Sequence, residues 1–315
     1  MTTHGVPSGY DIRLIAPSGY PHTPEAMQRG IARLEAAGHR VSGKEVLERR
    51  DLRFAGTDAE RVADINALAD TSHPLPDIAL AIRGGYGAHP LLPMIDYAGL
   101  QARLTGAPVA LVGHSDFTAL QCGLYAKSGL VTYGGPMLGA DFGAAELDAL
   151  TWDHFWHTLS NEEVQAEWAT PEATELAAEG ILWGGNLAML GGLAGSPYFP
   201  RIEGGLLFVE DIAEPPYRVE RMLYHLLHAG VLGTQKALLV GDFTGYRVSA
   251  YDNGYEVDVV LDRIAEAAGI PVVRGLPFGH GPAKLTLPFG APARLAVASG
   301  KATLRFSGHP RPKTP

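Results

Sequence analysis

Short apolar runs alternate with amphipathic stretches through the first half of the chain. Ile12, Leu14 and Ile15 form an apolar run that ends in Pro17, Ser18 and Gly19, and residues 24–37 follow with Met27, Ile31 and Leu34 at helical spacing. That order predicts a strand, a turn and a helix. Residues 40–47 predict a second strand, and Asp58 predicts the cap of a helix over 59–68 whose Val62, Ile65 and Leu68 share one stripe. Residues 78–82 and 109–112 are too short for helices and apolar at every position, as strands buried on both faces are. Residues 130–133 predict a further strand. Strand and helix recurring in this order predict an α/β fold whose N-terminal part is a doubly wound parallel sheet.

The texture changes after Phe142. Residues 144–159 predict a helix carrying Trp152, Phe155 and Trp156, and a polar stretch follows it. The expected organisation is a first α/β domain over 1–160, a linker over 161–178 and a second α/β domain over 179–315. In that second domain Trp183, Gly184, Gly185 and Asn186 read as a glycine turn into a short helix, and residues 205–211 as a buried strand ending in two acids. Helices are predicted over 218–228 and 257–268, with a strand at 237–240. From Lys284 onward, short runs joined by Gly and Pro predict a small antiparallel sheet or barrel.

Composition narrows the chemistry. The 315 residues are 46% hydrophobic and 19% charged, ordinary for a globular protein, and the formal net charge is -9. No cluster of Lys and Arg offsets that charge, which argues against nucleic acid or an anionic membrane as partner. The single cysteine, Cys122, excludes an internal disulfide framework and a cysteine-based zinc site, and no paired metal-ligand spacing is found. No cofactor and no metal are expected. Nothing at the N-terminus reads as a basic region before an apolar core, and no run approaches the ~18 apolar residues of a membrane span, so a cytoplasmic protein is expected.

Two glycine-rich turns carry candidate chemistry. The strand 109–112 breaks at Gly113 and is followed by His114, Ser115, Asp116 and an amphipathic segment with Phe117, Leu120, Leu124 and Tyr125. A serine in such a turn exposes its hydroxyl over the sheet edge beside free helix-start amides, as in a nucleophile elbow, although Phe117 stands where that motif has its second Gly. A helix cap explains the same residues equally well. Arg83-Gly84-Gly85-Tyr86-Gly87 follows the third strand and reads either as a tight turn or as a loop whose amides face a ligand. Glu210 ends the inward row Leu206, Phe208, Glu210. His280, between Gly279 and Gly281, must lie in a loop and is a better base for Ser115 than His114, whose position next to the serine points it elsewhere.

These stretches, together with Gly184-Gly185-Asn186 and the segment from Glu214 to Arg221, resemble the LD-carboxypeptidase family of serine peptidases, in order along nearly the whole chain. The resemblance implies a Ser-His-Glu triad of Ser115, His280 and Glu210, with an oxyanion hole from the amides of Gly85 and Asp116. It implies substrate contacts from Arg83, Tyr86, Trp183 and Asn186, and a homodimer. Ala88-His89-Pro90 departs from the family, which often has a basic residue there. Family members release the terminal D-Ala from the murein tetrapeptide L-Ala-γ-D-Glu-meso-diaminopimelate-D-Ala in cell-wall recycling, and the expected partner is therefore a murein stem peptide. Relatives hydrolyse an amide of a microcin-type peptide-nucleotide antibiotic instead. A two-domain protein that only binds a small anion between the Arg83 loop and the Ser115 helix is the alternative from another class, but it has no need of Glu210 or His280.

Overall fold

The computed structural model describes residues 7–172 and 175–313. The chain divides into two compact units. The first is built on a six-stranded sheet. In chain order its elements are β1 (Asp11–Ile15), α1 (Pro24–Ala36), β2 (Arg40–Ser42), α2 (Asp58–Asn66), β3 (Ile78–Ala81), α3 (Tyr97–Leu104), β4 (Ala110–Gly113), α4 (Phe117–Ser128), β5 (Thr132–Gly134) and α5 (Ala149–Ser160).

Helix α2 starts one residue earlier than its sequence suggests. The Thr57 hydroxyl accepts from the Glu60 amide and the Glu60 carboxylate from the Thr57 amide, a reciprocal cap that satisfies two otherwise orphaned donors. The strand expected over 40–47 is only β2, because the chain turns into a single 3-10 turn at Lys44–Leu47.

Strands β2, β1, β3, β4 and β5 lie side by side in that order, all parallel. Ile12, Leu14, Ile78, Leu80, Ala110 and Val112 turn one face toward Met27, Ile31 and Leu34 of α1 and toward Phe155, Trp156 and Leu159 of α5. The alternate residues Ile15, Ala79, Ala81 and Leu111 point the other way and are equally buried. This is the expected doubly wound sheet. Its strand order reverses between β1 and β3, and at such a switch point the loops leaving the two strands diverge and open a crevice at the carboxyl edge.

The second unit comprises Glu163–Gly281 and Gly290–Gly308. It holds β6 (Glu163–Ala169), β7 (Leu176–Asn186), α6 (Leu187–Leu193), β8 (Leu206–Ile212), α7 (Pro216–His228), β9 (Ala237–Thr244), α8 (Val257–Ala268) and β10 (Val272–Val273). After β11 (Leu287–Phe289), which belongs to the first unit, come β12 (Ala291–Ala298) and β13 (Lys301–Ser307). One seven-stranded sheet runs β10-β9-β8-β7-β12-β13-β6, parallel from β7 to β10 and antiparallel beyond.

Three expectations are corrected here. Residues 161–178 are not a linker: β6 and the start of β7 lie there, and β6 alternates buried and exposed positions with Val164, Ala166 and Trp168 inward. The boundaries 1–160 and 179–315 fail with it, since the tail crosses back. No separate antiparallel sheet or barrel ends the chain either, because β12 and β13 extend the seven-stranded sheet while β11 pairs with β5 of the first.

The returning segment is held by polar groups that sequence patterning assigns to the surface. The Lys284 ammonium, 2% exposed, meets Asp141 at 2.8 Å, the Lys284 amide donates to Thr151 Oγ1 at 2.8 Å, and the Thr286 amide donates to His154 Nδ1 at 3.1 Å.

His154 accepts at Nδ1 and so sits as the neutral ring; burial, with His157 adding a little, pushes its pKa down to about 3. Unfolding between pH 6.5 and that value takes up a proton. The stabilisation is fully present above about pH 6.5 and declines by about 1.4 kcal/mol per pH unit as pH falls. Burial lowers the pKa of His39 and His309 as well, in the same sense. We expect His154 to contribute a loss of about 2 kcal/mol to the free energy of urea unfolding between pH 7 and pH 5. Asp211, whose carboxyl pKa burial raises to about 6, contributes in the opposite sense. The His154 effect is therefore read as the change of slope in His154→Gln, whose side-chain oxygen can still accept from Thr286. An unchanged slope in that variant would sink the assignment.

Candidate active site

Ser115 stands in the three-residue break between β4 and α4 with φ +63, a left-handed conformation that costs a residue with a Cβ of order 1 kcal/mol or more. The turn reverses so sharply that it needs room on both sides. A Cβ on Gly84 would stand 2.8 Å from the Ser115 Cβ, so glycine is required for the Arg83 loop to pack against the serine. A Cβ on Gly113 would strike the Phe117 ring at 2.3 Å. That contact accounts for the departure at position 117: the aromatic ring fills the space vacated at 113.

Asp116 is buried, and its Oδ2 accepts from Ser18 Oγ at 2.6 Å and from the Ala88 amide at 2.8 Å. Burial pushes its carboxyl pKa up, while those two bonds pull it back toward the charged form. One carboxylate thus ties the loops that follow β1, β3 and β4. The backbone amide of Asp116 lies at the start of α4, where no carbonyl four residues back is available within the helix.

Arg61 reinforces the same loops. It is fully buried on the inner face of α2, and its guanidinium donates to the carbonyls of Pro17 and Gly87, at 2.6 Å for Gly87, and to Gly56 at 3.2 Å. Sequence reading missed it. The available signal was its position four residues before Ile65, on the apolar stripe of the helix.

Gly85, with φ +106, and Tyr86, 41% exposed, occupy the outward part of the Arg83 loop. The Tyr86 ring packs beside Phe54 and His89. Arg83 donates from Nη1 to the Tyr20 carbonyl at 2.9 Å and lies 2.7 Å from His22 Nδ1.

In the second unit Glu210 sits completely buried near the end of β8, beside Asn186 of β7. Its Oε2 is 2.6 Å from His280 Nδ1, and its Oε1 accepts from Asn186 Nδ2 at 3.1 Å. The same Asn186 nitrogen reaches Asp211 Oδ1 at 3.0 Å, and Asp211 Oδ2 accepts from the Ala188 amide at 2.9 Å. Burial pushes the Asp211 pKa up to about 6.

The His280 loop is pinned to the end of β9. The Asp242 amide donates to the Phe278 carbonyl at 2.8 Å, and Gly241 must lack a side chain because its Cβ would stand 2.1 Å from that carbonyl oxygen. A carboxylate bonded at Nδ1 holds the proton there and leaves Nε2 as the basic nitrogen. Such a pair is suited to general-base work.

Two expected substrate contacts are buried within the second unit. Trp183 is fully enclosed, with its indole N–H on Gln235 Oε1 at 2.9 Å and its ring edge-on to Phe199. Asn186 is buried too; its oxygen caps α6 by accepting from the Met189 amide, and its nitrogen bridges the two acids. The reason is strand pairing: residues 183–186 continue β7 alongside β8 inside the sheet instead of turning. Among the expected residues, the structure brings together Ser115, Asp116 and the Arg83 loop within the first unit, and Glu210, His280 and Asn186 within the second.

Known proteins match the chain in both units. The family model of the LD-carboxypeptidase N-terminal domain matches residues 12–135, and that of the LD-carboxypeptidase C-terminal domain matches residues 179–295. A muramoyltetrapeptide carboxypeptidase from Oxalobacter formigenes has a crystal structure similar to this one, with a TM-score of 0.87, 42% identity and coverage of 95% of this chain and 99% of that one. A probable murein peptide carboxypeptidase of Bacillus subtilis is 31% identical over 94% of this chain and 92% of its own. The microcin C7 self-immunity protein MccF of Escherichia coli is 28% identical over 85% of this chain and 84% of its own. The order of the two domains, the strained serine turn and these likenesses lead to one conclusion: the chain belongs to the LD-carboxypeptidase family of serine peptidases.

Proposed function

We propose that the protein is an LD-carboxypeptidase that releases the terminal D-Ala from murein tetrapeptide, with Ser115 as nucleophile, His280 as its base and Glu210 as the acid that orients the imidazole. The observation that carries this reading is the 2.6 Å contact between His280 Nδ1 and the buried Glu210 carboxylate, found in a chain whose serine is held in a strained turn.

In this mechanism His280 Nε2 takes the proton from Ser115 Oγ as the oxygen attacks the carbonyl carbon between diaminopimelate and D-Ala. The amides of Asp116 and Gly85 stabilise the oxyanion of the tetrahedral intermediate. The imidazolium then returns its proton to the leaving amine, D-Ala departs, and a water activated by the same base hydrolyses the ester to regenerate Ser115. Glu210 stabilises the imidazolium throughout without itself taking the proton. The test is mass spectrometry of murein tetrapeptide incubated with the protein in EDTA: tripeptide and free D-Ala are expected at full rate, and intact tetrapeptide would overturn the reading.

A carboxypeptidase must also recognise the free carboxylate of the residue it removes. Arg83 has no carboxylate partner among the described residues and lies beside Gly85, which makes it the available cation for that group. Replacing the terminal acid by its amide takes a charge-assisted partner from a partly buried guanidinium, so kcat/KM on the carboxamide should fall by about 100-fold. The likeness to MccF supports a second reading, hydrolysis of an amide in a microcin-type peptide-nucleotide. Equal rates on acid and carboxamide would favour it and would discard the carboxypeptidase while leaving the triad in place.

A further inference from the structure

Three loops of the first unit are stitched together around the serine turn. The Gly19 amide donates to the Gly84 carbonyl at 3.2 Å, the Ala55 amide to the Ser18 carbonyl at 3.0 Å, and the Tyr20 amide to the Arg53 carbonyl at 3.3 Å. The segment from Arg50 to Ala55 is thereby fastened, through residues 18–20, to the glycine loop that packs on Ser115.

That segment contributes two exposed arginines whose guanidinium groups lie over rings rather than on acids. Arg50 sits 4.2 Å above the centre of Tyr20, and Arg53 sits 5.9 Å from the centre of Tyr86. Neither has a carboxylate partner among the described residues, a state several other arginines share; what sets these two apart is the aromatic ring beneath each exposed guanidinium. Aromatic faces hold these cations at fixed places while leaving their N–H forks directed at solvent. In a chain of net charge -9, three guanidinium groups without a carboxylate partner among the described residues, with Arg83 the third, form a local positive rim beside the serine turn. Arg53 and Arg83 are close enough for their charges to oppose each other, so the rim is held against repulsion.

We propose that Arg50 and Arg53 bind a carboxylate that the substrate peptide carries on the acyl side of the scissile bond. This rests on the carboxypeptidase reading above. The carboxylate of the departing D-Ala is only a few bonds from the attacked carbon and must lie close to Ser115 and Gly84. Arg50 and Arg53 are joined to the glycine loop only through residues 18–20 and lie over the rings of Tyr20 and Tyr86, which suits anionic groups more remote from the cut. In the murein tetrapeptide those are the α-carboxylate of D-Glu and the side-chain carboxylate of diaminopimelate. The two arginines are therefore specificity-determining residues that favour an acidic stem over an amidated one.

The test compares the wild type with the Arg50→Ala/Arg53→Ala variant on two peptides, the tetrapeptide and an analogue with both acyl-side carboxylates converted to carboxamides. Both positions are exposed, and the variant should keep the wild-type unfolding midpoint. On the acidic peptide kcat/KM should fall by about 10-fold to 100-fold, mostly through KM, and its decline with added NaCl should become shallower. On the diamide the variant and the wild type should be equal. The same loss on both peptides, or no loss on either, would overturn the inference while leaving the carboxypeptidase reading intact. A wild type inactive on the acidic peptide would overturn that reading first, and the inference with it.

Discussion

Ser115→Ala and His280→Ala should each lower kcat by about four to six orders of magnitude if the proposed triad holds, because members of a triad act as a unit and the remaining partners have nothing to activate. The fold should survive both changes. Alanine at position 115 keeps the same left-handed φ of +63 and so adds no strain, and the removed hydroxyl is partly exposed. His280 lies in a loop whose hold on β9 runs through the Asp242 amide and the Phe278 carbonyl rather than through the imidazole. Its removal does leave the Glu210 carboxylate buried with Asn186 as a remaining donor, which should cost about 1–3 kcal/mol of stability. Steady-state kinetics on the tetrapeptide, alongside urea titrations, check both statements. A kcat within about tenfold of wild type for either variant would remove the nucleophile-base assignment.

Glu210→Gln should be nearly as severe, about three to four orders of magnitude in kcat. The cause can be traced atom by atom. Asn186 Nδ2 donates to Glu210 Oε1 and its own oxygen is committed to the Met189 amide, so Asn186 cannot turn its amide around to suit a new neighbour. A glutamine at 210 must keep its oxygen toward Asn186 and present its NH2 to His280 Nδ1. The imidazole then carries its proton on Nε2, the nitrogen that should accept from Ser115. Glu214→Gln should cost less than about tenfold, since Glu214 is partly exposed and paired with Arg218 one helical turn away. Asp211→Asn should fall between the two in turnover: Asp211 accepts from the same Asn186 nitrogen that holds Glu210, and an amide oxygen can still accept from the Ala188 amide. If Glu214→Gln proves the most damaging of the three, the acid lies beyond the Pro215 turn and Glu210 is structural.

Much of the candidate site is written in local pattern. A four-residue apolar run cut off at Gly113 before a segment with apolar residues at helical spacing is enough to place Ser115 in a strand-to-helix turn, because the strand period ends and the helical period begins on either side of it. Period two along residues 206–210 is enough to place Glu210 on the inward row, and two flanking glycines are enough to place His280 in a loop. Each of these depends only on neighbours within about ten residues.

Other features depend on partners far away in the chain. Trp183 and Asn186 look like a turn because glycines follow tryptophan, yet pairing with β8 keeps residues 183–186 in a strand and buries both side chains. Residues 161–178 look like a linker because they are polar, yet an antiparallel strand with one face in water needs only alternate apolar positions. Lys284 and Arg61 carry charges that composition assigns to solvent. Each is buried because its donors find acceptors more than 20 residues away, Asp141 for the lysine and the carbonyls of Pro17 and Gly87 for the arginine. Local periodicity is set by the backbone's own geometry and survives in one dimension, whereas the partner that permits a buried charge is chosen only when the chain has folded back on itself.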